Sequence, residues 1–358
     1  MTKSLLSLIT ILSASVLTLK AQDTSKVHAD PPLVITGSVD AYYKYDFSGF
    51  RNSAGSSNIP TSFATDQNSV SIGMVDIGLK KKVGAASFVG EVSFGPRGQS
   101  QSIPNAAGTY DETTNSYHIQ NLYVSYDLTS KLNVTGGYMA TFIGYEVITP
   151  TGNFNYSTSY LFTNGPFQNP GVKATYTFSD KFSLMAGIFN DKWNVYRSDL
   201  RINTFGAQLM VAPVKGWTAY LNLLTGPASG TELDLTTSYQ ITEAFKLGLN
   251  AATFNAPDPT SGGFSGVALY PQLAVSKAVT LGIRGEYFKS KTGSYLPVGP
   301  APGASVTGIT LTANVKAGPL TFIPEVRFDN NSQQAFVDSN GMPTKGAAQA
   351  LVAAVYAF

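Results

Sequence analysis

From residue 33 the chain reads LVITGSVDAYYKYDF. In an extended strand Ile35, Gly37, Val39, Ala41, Tyr43, Tyr45 and Phe47 share one face, and Thr36, Ser38, Asp40, Tyr42, Lys44 and Asp46 share the other. One face is apolar throughout while the other carries charge at mid-strand. The same period of two recurs along the chain and predicts strands at 33–47, 69–81, 85–95, 117–129, 131–143, 171–178, 181–190, 201–212, 216–224, 231–241, 244–254, 265–276, 278–289, 306–316, 319–328 and 347–358. Two prolines, Pro271 and Pro324, fall inside these runs and cannot donate to a sheet ladder. Bulges at those positions, or a register displaced by one residue, would accommodate them.

The connections alternate in length. Tight turns such as TSK at Thr129, SDK at Ser179, TEA at Thr242 and SKA at Ser276 alternate with long segments rich in Gly, Pro, Asn and Ser, among them FSGFRNSAGSSNIPTSF and SKTGSYLPVGPAPGAS. An all-β, transmembrane, antiparallel up-and-down barrel of about sixteen strands has this asymmetry, with short periplasmic turns and long extracellular loops. Sandwiches have no reason to segregate loop length in this way. If the first strand runs outward, Tyr45, Phe47, Phe94, Tyr138, Phe142, Phe205, Tyr287 and Phe328 form a belt at the outer ends of the apolar faces. Tyr126, Tyr176, Phe178, Phe182, Trp217, Tyr239, Phe245, Tyr356 and Phe358 form a second belt at the periplasmic ends. The closing run ALVAAVYAF places Phe358 and Tyr356 on the lipid side of a strand that pairs with the first, which leaves no open edge in hydrocarbon. The terminal aromatic with alternating apolar residues behind it resembles the signal read by the outer-membrane barrel assembly machinery, a partner this expectation implies.

The first 21 residues break the pattern. Lys3, an apolar stretch from Leu5 to Leu19 and the small residue Ala21 read as a cleaved export signal, followed by a short periplasmic segment at 22–32 and the barrel at 33–358. Residues 1–21 carry Lys3 and Lys20 and no acid, so their removal takes the formal charge from +2 to 0. The apparent basicity therefore implies no nucleic-acid partner. Only 13% of residues are charged, and no cysteine is present, which excludes disulfides, thiolate metal sites and a Cys nucleophile.

Over nearly the whole mature chain, and most closely in GYEVITPTGNFNYSTSYLFTNGPFQNPGVKATYTFSDKFSLMAGIFNDKWN at 144–194, the sequence resembles the OmpL-like β-barrel porins of Bacteroides-type Gram-negative bacteria. This resemblance implies an outer-membrane barrel and bears more on the fold than on the solute.

The polar faces would line a water-filled lumen. Asp40, Lys44, Glu91, Lys173, Arg284, Glu286, Glu325 and Arg327 are the charged candidates for the pore lining; neighbours such as Arg284 with Glu286 and Glu325 with Arg327 could select solute or simply stiffen the wall. The segment 144–170, the third outward connection, carries Glu146 as its single acid among Tyr145, Phe154, Tyr156, Tyr160, Phe162 and Phe167. A loop this long needs a packing surface. Folding inward would make Glu146, Tyr156 and Tyr160 a constriction; the alternative is an external cap.

Other functional classes fit less well. An enzyme needs a base near a nucleophile or acid, and the only histidines are His28, before the first strand, and His118, read here as a solvated rim residue near Asp111 and Glu112. No nucleophile elbow, phosphate loop or metal-ligand spacing occurs, so no cofactor or metal is expected. The remaining alternative is a surface-exposed adhesin, receptor or structural barrel acting through its loops. The primary reading is a porin for passive diffusion of small hydrophilic solutes or ions, embedded in outer-membrane lipid, with homo-oligomerisation open.

Overall fold

A computed structural model describes residues 30–97, 117–190, 201–293, 296 and 298–358. The expected signal segment, His28, Asp111 and Glu112 lie outside the described residues. Within the compact unit Leu33–Phe358, alternation becomes strand: β1 (Val34–Asp46), β2 (Ser69–Val83), β3 (Ala86–Phe94), β4 (Tyr117–Asp127), β5 (Leu132–Tyr138), β6 (Gly171–Ser179), β7 (Phe182–Phe189), β8 (Thr204–Val211), β9 (Trp217–Gly226), β10 (Gly230–Gln240), β11 (Phe245–Asn255), β12 (Gly263–Ala274), β13 (Val279–Ser290), β14 (Ser305–Ala317), β15 (Leu320–Asn331) and β18 (Gly346–Ala357). These sixteen close into one antiparallel barrel, each pairing with its neighbours in sequence and β18 sealing the ring between β15 and β1. The connection before β18 carries a small hairpin of its own, β16 (Phe336–Val337) and β17 (Pro343–Thr344).

Every predicted strand is present, and the largest departure is β5. It stops at Tyr138 because Gly137, at φ 142°, adopts a conformation that only glycine takes readily and turns the chain off the wall. Tyr138, expected in the outer belt, is buried as a result, and Phe142 leaves the belt to pack on Phe189 with ring centroids 5.5 Å apart. The strand prolines need no bulge. Pro271 pairs with Leu247 and Pro324 with Val352 on one side; on the other side the ladder skips two pairs and resumes in unchanged register. The register shifts fall elsewhere, at Val39/Ala41, Glu91/Val92 and Thr177/Ser179.

The barrel is apolar outside. Val70 is 82% exposed and Ile72 67%, values that water would penalise over a whole wall and hydrocarbon does not. At the long-loop end Tyr45, Phe47, Phe94, Phe205, Tyr287 and Phe328 stand exposed; at the short-turn end Tyr126, Tyr176, Phe178, Phe182, Trp217, Tyr356 and Phe358 do. Phe358 exchanges two backbone hydrogen bonds with Gly37 at 3.0 and 3.1 Å and lays its ring over that glycine.

Most of the buried apolar side chains among the described residues gather in four clusters. Each contains side chains from the connection between β5 and β6, residues 139–170, called loop 3 below: Tyr156 in one, Tyr160 and Leu161 in the second, Ile148, Phe162 and Phe167 in the third, Met139 and Ile143 in the fourth. The interior of the barrel is therefore organised around this loop.

Candidate functional site: the lumen and its inner loop

Loop 3 closes its own neck before entering the lumen. Thr141 N donates to Phe167 O and Asn169 N to Met139 O, and Ala140 bridges Gln168. Beyond the neck the chain crosses to the far wall, where Gly144 N donates to Asp234 Oδ1 at 3.0 Å and Tyr145 stacks on Tyr270 with centroids 4.5 Å apart. Asn153 clamps the next bend by bonding both the N–H and the C=O of Val147, at 2.9 and 2.6 Å. A single helical turn, α1 (Tyr160–Asn164), follows; Ser159 caps it by accepting from Phe162 N at 3.1 Å.

Glu146 and the STSY run are held by the wall through a dense polar network. Glu146 accepts from Arg284 Nη1 at 2.9 Å on one oxygen and from Ser159 N and Oγ at 2.8 and 2.5 Å on the other. Arg284 also donates to Ser157 O and lies 3.5 Å from Glu286. Arg327 pairs with Glu286 at 3.0 Å and with Asp329 at 2.8 Å, and reaches Thr158 O at 2.8 Å. Tyr160 N donates to Glu286 at 2.8 Å and its hydroxyl to Asp329 at 2.8 Å. Tyr156 N donates to Glu325 at 3.1 Å, its hydroxyl to Asp40 at 2.5 Å, and Ser157 Oγ donates to Glu325. Burial holds the Tyr156 and Tyr160 hydroxyls, which belong to the loop and not to a spanning strand, well above the ordinary tyrosine pKa, so both remain proton donors.

The charged candidates thus divide in two. Asp40, Lys44, Arg284, Glu286, Glu325 and Arg327 are each under 5% exposed, covered by loops, whereas Glu91 and Lys173 stay partly exposed. Glu325 does not pair with Arg327, as neighbours on one strand face suggest; it serves loop 3 and Thr312 Oγ1, and Arg327 turns to Glu286 and Asp329. Lys44 is taken by the first long connection, 47–68, donating to Ser57 Oγ at 2.8 Å and to Ala64 O. That connection also folds inward over loop 3, with Ser62 N donating to Thr163 Oγ1 at 3.1 Å.

Several participants went unrecognised in the sequence. Asp329 lies in the strand just past its predicted end. Arg97, after β3, donates through Nε to Ile148 O at 2.7 Å, and its guanidinium sits between the Phe63 and Tyr156 rings at 4.8 and 4.9 Å. His118 is buried, with Nε2 2.9 Å from Gly95 O, and is not the solvated rim residue expected. One signal was available: Phe264, Phe288, Val306, Ile323, Leu351 and Val355 occupy inward positions yet are apolar, as suits a wall covered by protein and not by water.

Spaces remain beside the loop. One of about 230 Å³ is lined by Glu91, Gln120, Asn121, Glu146 and Thr149, and another of about 430 Å³ by Thr141, Gln208, Tyr220, Thr236 and Ser238. No group of three or more potential metal-ligating side chains occurs among the described residues.

A closed ring of sixteen antiparallel strands, greasy outside, polar within and with a long loop folded inside, defines the class of outer-membrane porins, and this is an outer-membrane channel protein of that class. The chain belongs to the family described as "Putative beta-barrel porin-2, OmpL-like", whose model matches residues 32–358. Among solved structures it is similar to the outer membrane channel DcaP of Acinetobacter baumannii, with 12% identity, TM-score 0.62 and coverage of 91% of this chain and 97% of that one. It is also similar to an anion-selective porin from Comamonas acidovorans, at 13% identity, TM-score 0.58, 91% and 99% coverage, and to Salmonella typhi OmpF in complex with daunomycin, at 12%, 0.58, 91% and 97%. A search of curated proteins returns no match.

Proposed function

We propose that this porin is a passive channel for small hydrophilic solutes and ions whose bore is set by loop 3. What supports this reading above all is that all four inner apolar clusters contain loop 3 side chains while its polar atoms are bonded to the inward residues of β1, β13 and β15. On this reading Glu91 and Lys173 are the charges a solute meets, whereas Asp40, Arg284, Glu286, Glu325 and Arg327 hold the loop through Glu146, Tyr156 and Tyr160, and Lys44 holds the first connection. No chemistry is assigned to the protein, since passage needs only a hydrated route. Shortening residues 144–170 while keeping β5 and β6 should raise single-channel conductance and the uptake of larger sugars, because a wall of this strand number encloses an aqueous channel by itself. Unchanged conductance in a correctly folded barrel would remove loop 3 as the determinant of the bore.

Export through residues 1–21, insertion into outer-membrane lipid, recognition of Tyr356 and Phe358 by the assembly machinery and self-association belong to the same proposal; a Vibrio cholerae OmpT has been solved in a trimer form. The assembly step has its own check: Phe358→Ser should lower the yield of heat-resistant folded barrel in the membrane fraction without lowering synthesis.

A further inference from the structure

Four wall glycines stand where side chains of loop 3 press on the wall. Gly206 on β8, Gly248 on β11, Gly266 on β12 and Gly282 on β13 all occupy inward positions. A methyl group built on Gly206 would lie 2.6 Å from Phe142 Cζ, on Gly248 2.6 Å from Tyr145 Cζ, on Gly282 2.8 Å from Phe154 Cζ, and on Gly266 3.0 Å from Leu161 Cδ2. None of the four has a positive φ, so no left-handed conformation demands glycine at any of them; at Gly206 the added carbon would also lie 2.6 Å from the Phe189 ring of β7, and at Gly266 2.9 Å from Tyr287 O, whereas at Gly248 and Gly282 the three nearest atoms all belong to loop 3. Glycine in a strand interior is unfavourable and contributes no packing of its own; its remaining virtue there is the absence of a β-carbon, which permits close approach by another group. Gly90 and Gly285, on the lipid side of the same barrel, would meet nothing within 4 Å.

We infer that Gly206, Gly248, Gly266 and Gly282 are the positioning residues of the channel: together they form a recessed seat that receives Phe142, Tyr145, Leu161 and Phe154 and fixes how far loop 3 stands from the wall. The inference rests on the reading of loop 3 as the constriction and adds to it the wall residues that set the bore. The seat spans β8, β11, β12 and β13, and the loop meets β8 at Phe142, β11 at Tyr145, β13 at Phe154 and then turns back to β12 at Leu161 in α1. Each ring is registered at its own strand, so the loop is a fixed partition and not a swinging gate. Adding a β-carbon displaces the ring from the wall, and the direction away from the wall is the lumen.

The test is an alanine series read by single-channel conductance in planar bilayers on full-length folded barrel. Gly248→Ala and Gly282→Ala should lower conductance in the intact protein, and Gly285→Ala should not. Gly282→Ala added to Phe154→Ala should leave the conductance of Phe154→Ala unchanged, because the seat is then empty; the same holds for Gly248→Ala on Tyr145→Ala. This pairwise dependence is what a general weakening of the strand would not produce. In the barrel with residues 144–170 shortened, both glycine changes should be silent. Equal conductance of Gly248→Ala, Gly282→Ala and the unaltered protein would overturn the seat, as would equal losses with and without the loop. Should shortening the loop itself leave conductance unchanged, the constriction reading fails instead, so the two failures are distinguishable. If the glycine variants do not fold, Phe154→Leu and Tyr145→Leu, which leave the wall intact, carry the test: each should change conductance in the full-length barrel, and unaltered values for both would overturn the seat.

Discussion

Two stretches of inner wall carry the same kinds of side chain and put them to different use. On β13 and β15 the charges Arg284, Glu286, Arg327 and Asp329 lie beneath loop 3, paired with one another and bonded to its hydroxyls and backbone, and Asp40 on β1 accepts from the Tyr156 hydroxyl. On β3 and β6, Glu91 and Lys173 stay partly exposed, Glu91 held by Asn121, by its neighbour Asp76 and by a distant Thr149 hydroxyl. Residue type and strand face are alike in both places. What differs is the cover, which turns one set of charges into an internal fastening and leaves the other in contact with water, where a charge can act on a passing ion.

Substitutions should separate the two stretches by size and kind of effect. The largest loss is expected at Arg327→Met. It would leave Glu286 and Asp329 buried with no guanidinium between them, a loss of about 3–5 kcal/mol for a broken buried pair, read as a lower unfolding midpoint in detergent; an unchanged midpoint would break the comparison. Glu146→Gln comes next. One charge-assisted bond to Arg284 is weakened while acceptance from Ser159 can persist, at about 1.5–3 kcal/mol, with conductance noise rising as α1 loosens and little change in reversal potential, because Arg284 already neutralises that carboxylate; a large shift in potential would show Glu146 to be exposed to ions. The smallest effects on stability are expected at Glu91→Gln and Lys173→Gln. Unfolding midpoints should hardly move, while the reversal potential in a salt gradient moves toward anion preference for the first and cation preference for the second. A shift of the same sign in both would show that neither charge faces the conducting path.

The barrel itself was legible because period-two alternation records which side of a strand meets lipid, and lipid enforces it at every position. Turn lengths recorded the two ends equally well. What alternation cannot record is the contact that an inward residue makes once a loop has folded onto it, since Arg327 facing water and Arg327 facing Asp329 occupy the same place in the pattern. The end of β5 was missed for a related reason: Tyr138 and Phe142 continue the alternation, and only the left-handed conformation at Gly137, a tertiary outcome, breaks it. In the segment 347–358 the clue was present on both faces. Leu351, Ala353 and Val355 point inward and are as apolar as Val352 and Tyr356 pointing out, because Tyr156 and its neighbours keep water from them.

Tyr156 also ties together parts of the chain that lie far apart in the sequence. Its hydroxyl reaches Asp40 across a separation of 116 residues and its N–H reaches Glu325 across 169, while its ring packs in one cluster with Leu351, Ala353 and Val355. Both sides of the joint between β1 and β18 are thereby fastened to one residue from the middle of the sequence. Dividing a long chain closure into two shorter ones saves little, about 0.6 kcal/mol per halving of length, so the gain lies in the shared partner and not in the shorter path. Bore and hoop strength are consequently joined at this tyrosine: a variant that widens the passage by removing it also unpins the joint, and the two properties cannot be tuned independently there.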